Sequence, residues 1–410
     1  MIAGDPVRDI LVFTVALLLL GGCAKDDRVV VDFWHVMGGP LGRRLDEMIS
    51  DFNRLHPEGH VRSVHMGSYD VLAQKLMGAI ASGSPPVLAQ MYESWTDQFW
   101  EAGELQPMQA FIREETGFDL EDFYPVFIHD NTYDSVLVTL PFNKSVPVFY
   151  YNADLLEESG IDHFPRDWRE FREVCERVRS PGIWSTSWPI DVWYFSTMLY
   201  QEGGMLYDES GREPRFNSQE GVSVVEYLVN LVKDSLFYLS PGFQRQDEFM
   251  SGNVAMIPAS VVSWAFMKGK SVFRMGVAAF PQGTDRAVVI AGTNIGMFKK
   301  SSAAQQKLGW EFVKWFLDPV NQVRWTEASY YLPTRRKATT TDTYNRFVTE
   351  NPEYEDIVAQ LEFARTEPRV KEWFTGRIYL NEAMEEAMRL ERTPRRALDD
   401  AARRLVVELK

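Results

Sequence analysis

A glycine-rich turn near the start of the chain is the first place where residue types suggest ligand chemistry. Gly38, Gly39 and Gly42 stand between the apolar residues 29–31 and an amphipathic stretch, so a strand, a tight turn and a helix are predicted. The free amides of a helix N-terminus favour an anion at such a turn. The spacing G-G-x-x-G, however, matches neither the dinucleotide motif G-x-G-x-x-G nor the phosphate loop G-x-x-x-x-G-K-S/T. The turn therefore does not indicate a nucleotide site.

Acidic residues offer a second chemistry, because glycoside hydrolysis needs two carboxylates across a cleft. Glu93 follows an apolar segment, and Asp191 is the candidate for a second acid. The sequence has no H-E-x-x-H, no G-x-S-x-G and no cluster of Cys and His, so metal-dependent and acyl-transfer chemistry are not indicated. A secreted glycoside hydrolase stays as an alternative, but we expect a chain that is not an enzyme and needs no cofactor or metal.

The first third of the chain alternates between strand and helix patterns. Apolar residues recur at every second position in the strands and at three- or four-residue spacing in the helices. This βαβαβ order predicts a parallel sheet covered by helices, with ligands bound beyond the carboxyl ends of the strands. The turns at Gly38, Tyr69 and Glu93 lie at that edge. The predicted elements are strands at 29–33, 61–66 and 87–92 and helices at 41–55 and 71–80.

A second unit of the same character begins after residue 143. The charged tail at 381–409 alternates Leu, Met and Ala with Glu and Arg, which predicts a pair of solvated helices. The chain has no internal repeat and no low-complexity linker, so two interleaved domains are expected rather than two in series. The further predicted elements are strands at 148–152, 288–290 and 296–298 and helices at 153–159, 227–232 and 308–316.

The first residues predict export. Residues 10–20 are apolar but too short to span a bilayer, which takes about 20 residues, and they are typical of the core of a signal peptide at 1–22. The run Leu20-Gly21-Gly22-Cys23 resembles the lipobox of bacterial lipoproteins, which implies a lipid on Cys23. The leader has Arg8 as its single basic residue, and a buried core helix is the alternative interpretation.

The composition narrows the class of protein. The 410 residues carry a formal net charge of −15 and are 45% hydrophobic, which is typical of an acidic globular protein long enough for two domains. An acidic chain does not favour nucleic acid or an anionic membrane surface as partner. If Cys23 is lipidated, Cys175 has no disulfide partner and is expected to be a small core residue.

A set of separated motifs supports a more specific interpretation. These motifs are FWHVMGGPLG at 33–42, GSY at 67–69, LAQMYE at 88–93, PFNKS at 141–145, YYN at 150–152, AM at 255–256, Gly292 and YLP at 331–333. Together and in this order they resemble the family 1 extracellular solute-binding proteins of bacterial ABC importers. The resemblance implies an α/β, two-lobe periplasmic-binding-protein fold of class II type, with a ligand cleft that closes by a hinge. It implies an N-terminal lobe of 28–140 plus 288–328 and a C-terminal lobe of 146–287 plus 329–410.

The resemblance is strongest to family members that bind glycerol-3-phosphate, and it implies eight ligand-binding residues. Their types suit the ligand, because a carboxylate accepts hydrogen bonds from hydroxyl groups and arginine donates a planar fork to phosphate. The implied residues are Tyr69 and Glu93 on the glycerol side, Ser145, Ser260, Gly292, Tyr331 and Arg377 on the phosphate side, and Trp188 as a cleft tryptophan. Arg369, near Arg377, is expected to be mainly a surface charge.

Two ligand classes stay open at this point. One is glycerol-3-phosphate or a glycerophosphodiester, and the other is a neutral sugar or oligosaccharide bound in a cleft rich in tryptophan. The residues that favour the sugar are Trp184, Trp188, Trp193 and Trp264. In either case the expected partners are the permease subunits of an ABC importer and the membrane reached through the lipid anchor. We expect a secreted, lipid-anchored monomer in the periplasm or on the outer face of the cell membrane.

The lipobox motif generates a direct test. Changing Cys23 to Ala removes the thiol that would carry the lipid, so the protein should move from the membrane fraction to the soluble fraction. Immunoblots of the two fractions measure the shift, with Cys175→Ala as the control. Unchanged membrane retention of the Cys23→Ala protein would refute the anchor.

Overall fold

The computed structural model describes residues 28–208, 211, 213–239, 244–369 and 372–408. Over this range the chain forms two α/β lobes, each built on its own β-sheet. The predicted signal peptide and the lipidation of Cys23 lie outside the described residues. The predicted α/β class with two lobes is confirmed.

The strands of the first lobe are β1 (Val29–His35), β2 (Gly59–His65), β3 (Leu88–Met91), β4 (Leu105–Gln106), β7 (Leu140–Ser145) and β14 (Ala291–Phe298). They form a mixed sheet with the order β2-β1-β3-β14-β4, and β7 pairs with β14. Strands β1, β2 and β3 are parallel, as predicted. Strand β14 runs antiparallel to its three neighbours, and it is a single strand that extends the one predicted at 296–298.

The strands of the second lobe are β8 (Pro147–Asn152), β9 (Trp184–Trp188), β10 (Phe237–Leu239), β11 (Val254–Ser260) and β12 (Met275–Ala279). They form one sheet in the order β10-β9-β11-β8-β12. The first crossing of the chain from one sheet to the other takes a single residue, Val146, because β7 ends at Ser145 and β8 begins at Pro147. Two short pairs complete the strands: β5 (Thr132–Tyr133) with β6 (Val136–Leu137), and β13 (Val288–Val289) with β15 (Ala364–Arg365).

Helices cover both sheets, and several of them begin at a capping side chain. Ser68, for example, accepts a hydrogen bond from Val71 N–H at 3.3 Å and so fixes the start of the helix that carries Tyr69. The helices before the second sheet are α1 (Gly39–Leu55), α2 (Tyr69–Ala81), α3 (Glu93–Glu101), α4 (Met108–Glu114) and α5 (Pro125–Asp130). Those that follow are α6 (Ala153–Glu158), α7 (Trp168–Val178), α8 (Val192–Gln201), α9 (Gln219–Lys233), α10 (Gln244–Met250), α11 (Trp264–Met267), α12 (Ala303–Phe316), α13 (Pro319–Ser329), α14 (Asp342–Glu350), α15 (Glu353–Ala359), α16 (Trp373–Met388) and α17 (Pro394–Glu408).

The two C-terminal helices differ from their prediction as solvated. Helices α16 and α17 pack against each other and against α9, and they bury one apolar face in the core of the second lobe. Leu380, Met384 and Leu398 belong to that face. The charged residues that dominate the sequence pattern occupy the opposite face, so the pattern revealed the helices but understated their packing.

Other expectations about the core are confirmed. Cys175 is fully buried and forms no disulfide, and burial raises the pKa of its thiol. Helix α12 packs against β1, in keeping with the apolar stripe predicted at 308–316. Among the helices that the structure describes, none is long and apolar enough to cross a bilayer. The lobe boundaries inferred from the resemblance stay a prediction.

His35 ties the glycine-rich turn to the first sheet. Its buried ring accepts a hydrogen bond from Met37 N–H at Nδ1, at 3.1 Å, so Nε2 carries the proton and donates to Ser63 Oγ at 2.7 Å. Ser63 in turn donates to Asp46 Oδ1 at 2.6 Å. Burial, and next the neighbouring His65, lower the pKa of His35 from 6.5 to about 4. The fold therefore requires a neutral imidazole at this position.

This requirement predicts a loss of stability in acid. The unfolded chain binds a proton at His35 below about pH 6.5, whereas the folded chain does so only near pH 4, so the free energy of unfolding should fall across that window. The shift corresponds to roughly 3 kcal/mol at most. His35→Asn keeps one acceptor and one donor but does not titrate, so its urea unfolding should depend less on pH between 7 and 4.

His60→Asn, on the neighbouring strand β2, is the matched control, because that side chain is only partly buried. The wild type and the control should lose stability in parallel as the pH falls. Equal slopes for the wild type and His35→Asn would contradict the assignment.

Candidate ligand-binding site

The implied glycerol-side residues lie where the sequence predicted them, at the carboxyl edge of the first sheet. Tyr69 is the first residue of α2, which follows β2, and Glu93 is the first residue of α3, which follows β3. Helix N-termini at this edge direct free amides toward the end of the sheet. The ring of Tyr69 lies against that of Tyr92, with a centroid distance of 4.6 Å.

A buried lysine determines the position and charge of Glu93. Lys144 on β7 is 0% exposed, and its Nζ lies 2.6 Å from Asp130 Oδ2 and 3.3 Å from Glu93 Oε1. Burial opposes the ammonium charge, but Asp130 and Glu93 outweigh it and raise the pKa of Lys144. Burial and the charge of Asp130 raise the pKa of Glu93 above its usual range. The Glu93 side chain is 27% exposed, so this carboxylate is the member of the cluster that a ligand reaches.

A network of buried side-chain amides holds the hydroxyl group of Tyr69 in place. Gln90 Nε2 donates to Thr293 Oγ1 at 2.7 Å and to the Tyr69 hydroxyl at 3.2 Å, and Gln90 Oε1 accepts from Val36 N–H at 2.9 Å. Asn143 Oδ1 accepts from Thr293 N–H at 3.2 Å. Gln90, Asn143 and Thr293 are all fully buried. Because each side chain is fixed by two or more partners, Tyr69 is positioned before any ligand arrives.

Gly292 is required by the packing of the sheet itself. It has a φ of +108°, and a Cβ at this position would lie 1.9 Å from the carbonyl oxygen of Asn143. It pairs with Lys144 across β7 and β14. Only glycine allows this close approach of two backbones. The implied role as a ligand contact is untested, but glycine has a structural reason to be here.

Tyr331 is tied to the same lysine through the backbone. Leu332 N–H donates to the carbonyl of Lys144 at 2.8 Å, which anchors the segment after α13 to β7. The ring of Tyr331 stacks on Trp325, with centroids 6.0 Å apart and planes 9° apart. Burial, and next the nearby Tyr69, raise the pKa of Tyr331. Glu93, Gly292 and the segment that carries Tyr331 therefore meet at Lys144, and Tyr69 lies near Tyr331.

The two implied serines meet at the crossover between the sheets. Val261 N–H donates to the carbonyl of Val146 at 3.1 Å, and Ser145 and Ser260 each adjoin one member of this hydrogen-bonded pair. The Ser260 Oγ accepts from Val262 N–H at 3.3 Å. The structure thus brings together the backbone segments of two serines that are 115 positions apart in the sequence.

Arg377 lies on helix α16 of the second lobe, and it already has anionic partners. Its Nη1 donates to both carboxylate oxygens of Glu367, and its Nη2 lies 3.1 Å from Asp191 Oδ1. Burial opposes the charge, but Glu367 and Asp191 outweigh it and raise the pKa of Arg377, with a smaller contribution from Tyr92 of the first lobe. The Arg377 side chain is 33% exposed, so part of it stays accessible to a ligand.

The structure does not bring Trp188 together with the other seven residues. Trp188 is 2% exposed, and its ring packs among Phe149, Trp168 and Phe280 in the core of the second lobe. Its Nε1 donates to Thr186 Oγ1 at 2.9 Å, so its polar atom is also satisfied inside the core. Its implied contact with a ligand stays an untested prediction.

Arg369 is not the surface charge that the sequence suggested. Its Nη1 donates to the carbonyl of His129 at 2.7 Å and also to the carbonyl of Thr132, and its guanidinium lies 5.4 Å from the ring centroid of Tyr133. The Tyr133 hydroxyl donates to the carbonyl of Glu93 at 3.2 Å. Arg369 therefore joins the chain just before α16 to the segment that carries Glu93, and the sequence expectation was wrong because main-chain carbonyls leave no motif.

Sequence reasoning missed the charged partners that control the site. Lys144 and Asn143 lay inside a recognised motif but were given no role. A lysine within the otherwise uncharged run at 137–151 was the available signal, because a buried lysine needs a carboxylate partner. Asp130 and Glu367 had no local signal, because they reach the site only through the tertiary fold.

Comparison with known proteins agrees with this geometry. Residues 47–355 match the sequence profile of the bacterial extracellular solute-binding proteins. The chain belongs to this family. The periplasmic sn-glycerol-3-phosphate-binding protein UgpB of Pectobacterium atrosepticum is 25% identical over 415 residues, covering 95% of this chain and 92% of that protein.

Solved structures show the same fold. UgpB from Mycobacterium tuberculosis in complex with glycerophosphocholine has a TM-score of 0.81 at 21% identity, covering 92% of this chain and 97% of that chain. The cyclic alpha-maltosyl-1,6-maltose binding protein of Arthrobacter globiformis has a TM-score of 0.82 at 22% identity, covering 93% of this chain and 99% of that chain. The chain is therefore a solute-binding protein of the kind that serves ABC importers, and it is not an enzyme.

The buried lysine predicts a strong effect on stability. Lys144→Met leaves Asp130 and Glu93 close together without a cation, and removing one partner of a buried ion pair costs about 3–5 kcal/mol. Urea unfolding at pH 7 should show this loss. The double variant Lys144→Met with Asp130→Asn should recover part of it, because it removes one of the two uncompensated charges.

Lys337→Met is the matched control, since Lys337 pairs with Asp119 on the surface, where such a pair is worth under about 1 kcal/mol. A Lys144→Met protein as stable as this control would show that the pairing contributes little.

Proposed function

We propose that this protein captures glycerol-3-phosphate or a glycerophosphodiester in the cleft between its lobes and delivers it to the permease of an ABC importer. The observation that carries the proposal is the set of contacts that leads from Arg377 to the first lobe. Arg377 donates to Glu367, and the nearby Arg369 donates to the carbonyls of His129 and Thr132, beside the segment that carries Glu93. We infer that a donor fork on the second lobe and an acceptor carboxylate on the first lobe face the same cleft. Glycerol-3-phosphate has a polyol end and a phosphate end that match these two groups.

The first-lobe side suits the polyol end. The exposed part of the Glu93 carboxylate is available to accept hydrogen bonds from hydroxyl groups, and Gln90 holds the Tyr69 hydroxyl in place at the same edge of the sheet. A polyol hydroxyl can donate to the carboxylate of Glu93 or accept from the hydroxyl of Tyr69. Buried polar groups arranged in this way discriminate strongly against a ligand that lacks the matching hydroxyl.

The second-lobe side suits the phosphate end. Arginine has N–H donors beyond those that bind Glu367 and Asp191, and its planar fork matches phosphate oxygens. Ser145 and Ser260, at the crossover between the sheets, would add neutral donors. The names of two similar proteins support this choice, since one is a glycerol-3-phosphate-binding protein and the other holds glycerophosphocholine.

A neutral sugar is the second candidate, and a specific feature favours it. The rings of Tyr69, Tyr92 and Trp95 form an aromatic cluster, in which Tyr92 and Trp95 meet edge to face with centroids 5.4 Å apart. Such surfaces stack against sugar rings, and the Arthrobacter globiformis protein of the same fold binds a cyclic oligosaccharide. Of the four tryptophans noted in the sequence, Trp193 is partly exposed and adjoins Asp191.

The proposal includes the cellular setting. Membership in an extracellular family places the site of capture outside the cytoplasm. A lipid on Cys23 would keep the protein at the membrane, near the permease that receives the ligand. We propose that it acts there as a monomer, because one chain contains both lobes of the cleft.

Arg377 decides between the phosphate ester and the neutral sugar. Removing the charged partner of a buried phosphate costs about 2–5 kcal/mol, so Arg377→Ala should weaken binding of glycerol-3-phosphate by about 30-fold to several thousand-fold. Arg377→Lys should recover part of the affinity, because an ammonium keeps the charge but lacks the fork. Titration calorimetry measures both variants, and thermal unfolding checks that each is folded.

Arg389→Ala is the control, because Arg389 ends the same helix and pairs only at the surface, with Glu385. It should bind as the wild type does. If the wild type ignores the phosphate ester and binds an uncharged oligosaccharide, and Arg377→Ala binds that sugar equally well, the phosphate assignment is wrong.

A further inference from the structure

Both basic side chains of the candidate site are paired with two carboxylates each. Lys144 contacts Asp130 and Glu93, and Arg377 contacts Asp191 and Glu367. With its two carboxylates ionised, the Arg377 cluster carries a charge of about −1 before any ligand binds, and the Lys144 cluster, in which the pKa of Glu93 is raised, carries between 0 and about −1. A phosphate at Arg377 would therefore enter a site that already has more negative than positive charge.

The two carboxylates at Arg377 are not equivalent. Glu367 is 18% exposed, and its Oε2 also accepts from Trp373 Nε1 at 2.8 Å, so it is a fixed counter-ion of the guanidinium. Asp191 is 38% exposed and contacts Arg377 through Oδ1, which also accepts from Trp193 N–H at 2.9 Å. Asp191 is thus the carboxylate that a ligand group beside the phosphate reaches more easily.

This arrangement disfavours a phosphate monoester. Above its second pKa of about 6, a monoester carries a charge close to −2, whereas a phosphodiester carries −1. Like charges placed together oppose binding, and they do so most where water is partly excluded. A diester whose second alcohol carries an ammonium has no net charge, and its cation can compensate the excess of carboxylates. The favoured ligand is then a zwitterion.

We propose that Asp191 and Glu367 determine ligand charge in this cleft and select a glycerophosphodiester of an amino alcohol over glycerol-3-phosphate. Arg377 binds the phosphate through its remaining N–H groups, and the carboxylate of Asp191 lies next to the positive charge of the ammonium. Glu367 keeps the guanidinium in place. This inference rests on the proposed function and narrows it to one class of ester.

Three probes that share glycerol phosphate and differ in charge provide the test. Glycerol-3-phosphate, glycerophosphoglycerol and glycerophosphocholine have net charges of about −2, −1 and 0 at pH 7.5. Calorimetric titration at one salt concentration should give the wild type an affinity that rises along this series. Asp191→Asn should weaken glycerophosphocholine about tenfold and strengthen glycerol-3-phosphate about tenfold, by removing one like charge and the partner of the ammonium.

Two further variants complete the design. Glu367→Gln should strengthen glycerol-3-phosphate as well, but it should change glycerophosphocholine less than Asp191→Asn does, because Glu367 is the less exposed carboxylate. Glu385→Gln, on the same helix as Arg377 but paired at the surface with Arg389, should leave all three affinities unchanged. Thermal unfolding of each variant separates lost binding from lost folding.

The outcomes are distinguishable. A wild type that binds all three probes, with an order that Asp191→Asn does not change, would overturn this inference and leave the proposed function standing. A wild type that binds none of the probes but binds a neutral oligosaccharide would overturn both. A reversal of the order in Asp191→Asn alone would support the role of that carboxylate.

Discussion

An ammonium group without access to water needs carboxylates around it, and Lys144 obtains them from two separate parts of the chain. Asp130 ends a short helix before β7, and Glu93 begins the helix after β3. The backbone of the same lysine pairs with Gly292 on one side and with Leu332 on the other. One residue thus holds four segments of the chain, around residues 93, 130, 292 and 332. The site of the first lobe is fixed because its charge balance and its backbone pairing depend on the same position.

The second lobe contributes in a different way. Arg377 lies on a helix that belongs to the core of that lobe, and its carboxylate partners come from the start of α8 and from the segment just before α16. The guanidinium is therefore oriented by its own lobe and does not need a ligand to hold it. Preorganised groups on both sides reduce the entropy lost on binding. Arg369, which bonds to first-lobe carbonyls, adds a direct connection between the lobes beside this site.

Local patterns in the sequence predicted the alternation of strands and helices and the edge at which ligand residues gather. Tyr69 and Glu93 were found because each follows a strand that periodicity reveals. The direction of β14 could not be found in this way, because an antiparallel insertion is set by pairing partners far along the chain. Trp188 shows the opposite problem: a tryptophan at the end of a strand has the same local signal whether it lines a cleft or fills a core. The anionic partners of Arg377 have no local signal, because tertiary structure alone brings them to it.

The position of β14 in the first sheet has a consequence for how the chain folds. This strand lies between β3 and β4 and also pairs with β7, yet it is synthesised after every strand of the second sheet. The first lobe cannot complete its sheet until residues up to 298 are present, so contacts of large sequence separation must form late. Slow folding of this kind suits a protein that is exported, since a chain that is still unfolded can be threaded through a narrow membrane channel before its core closes.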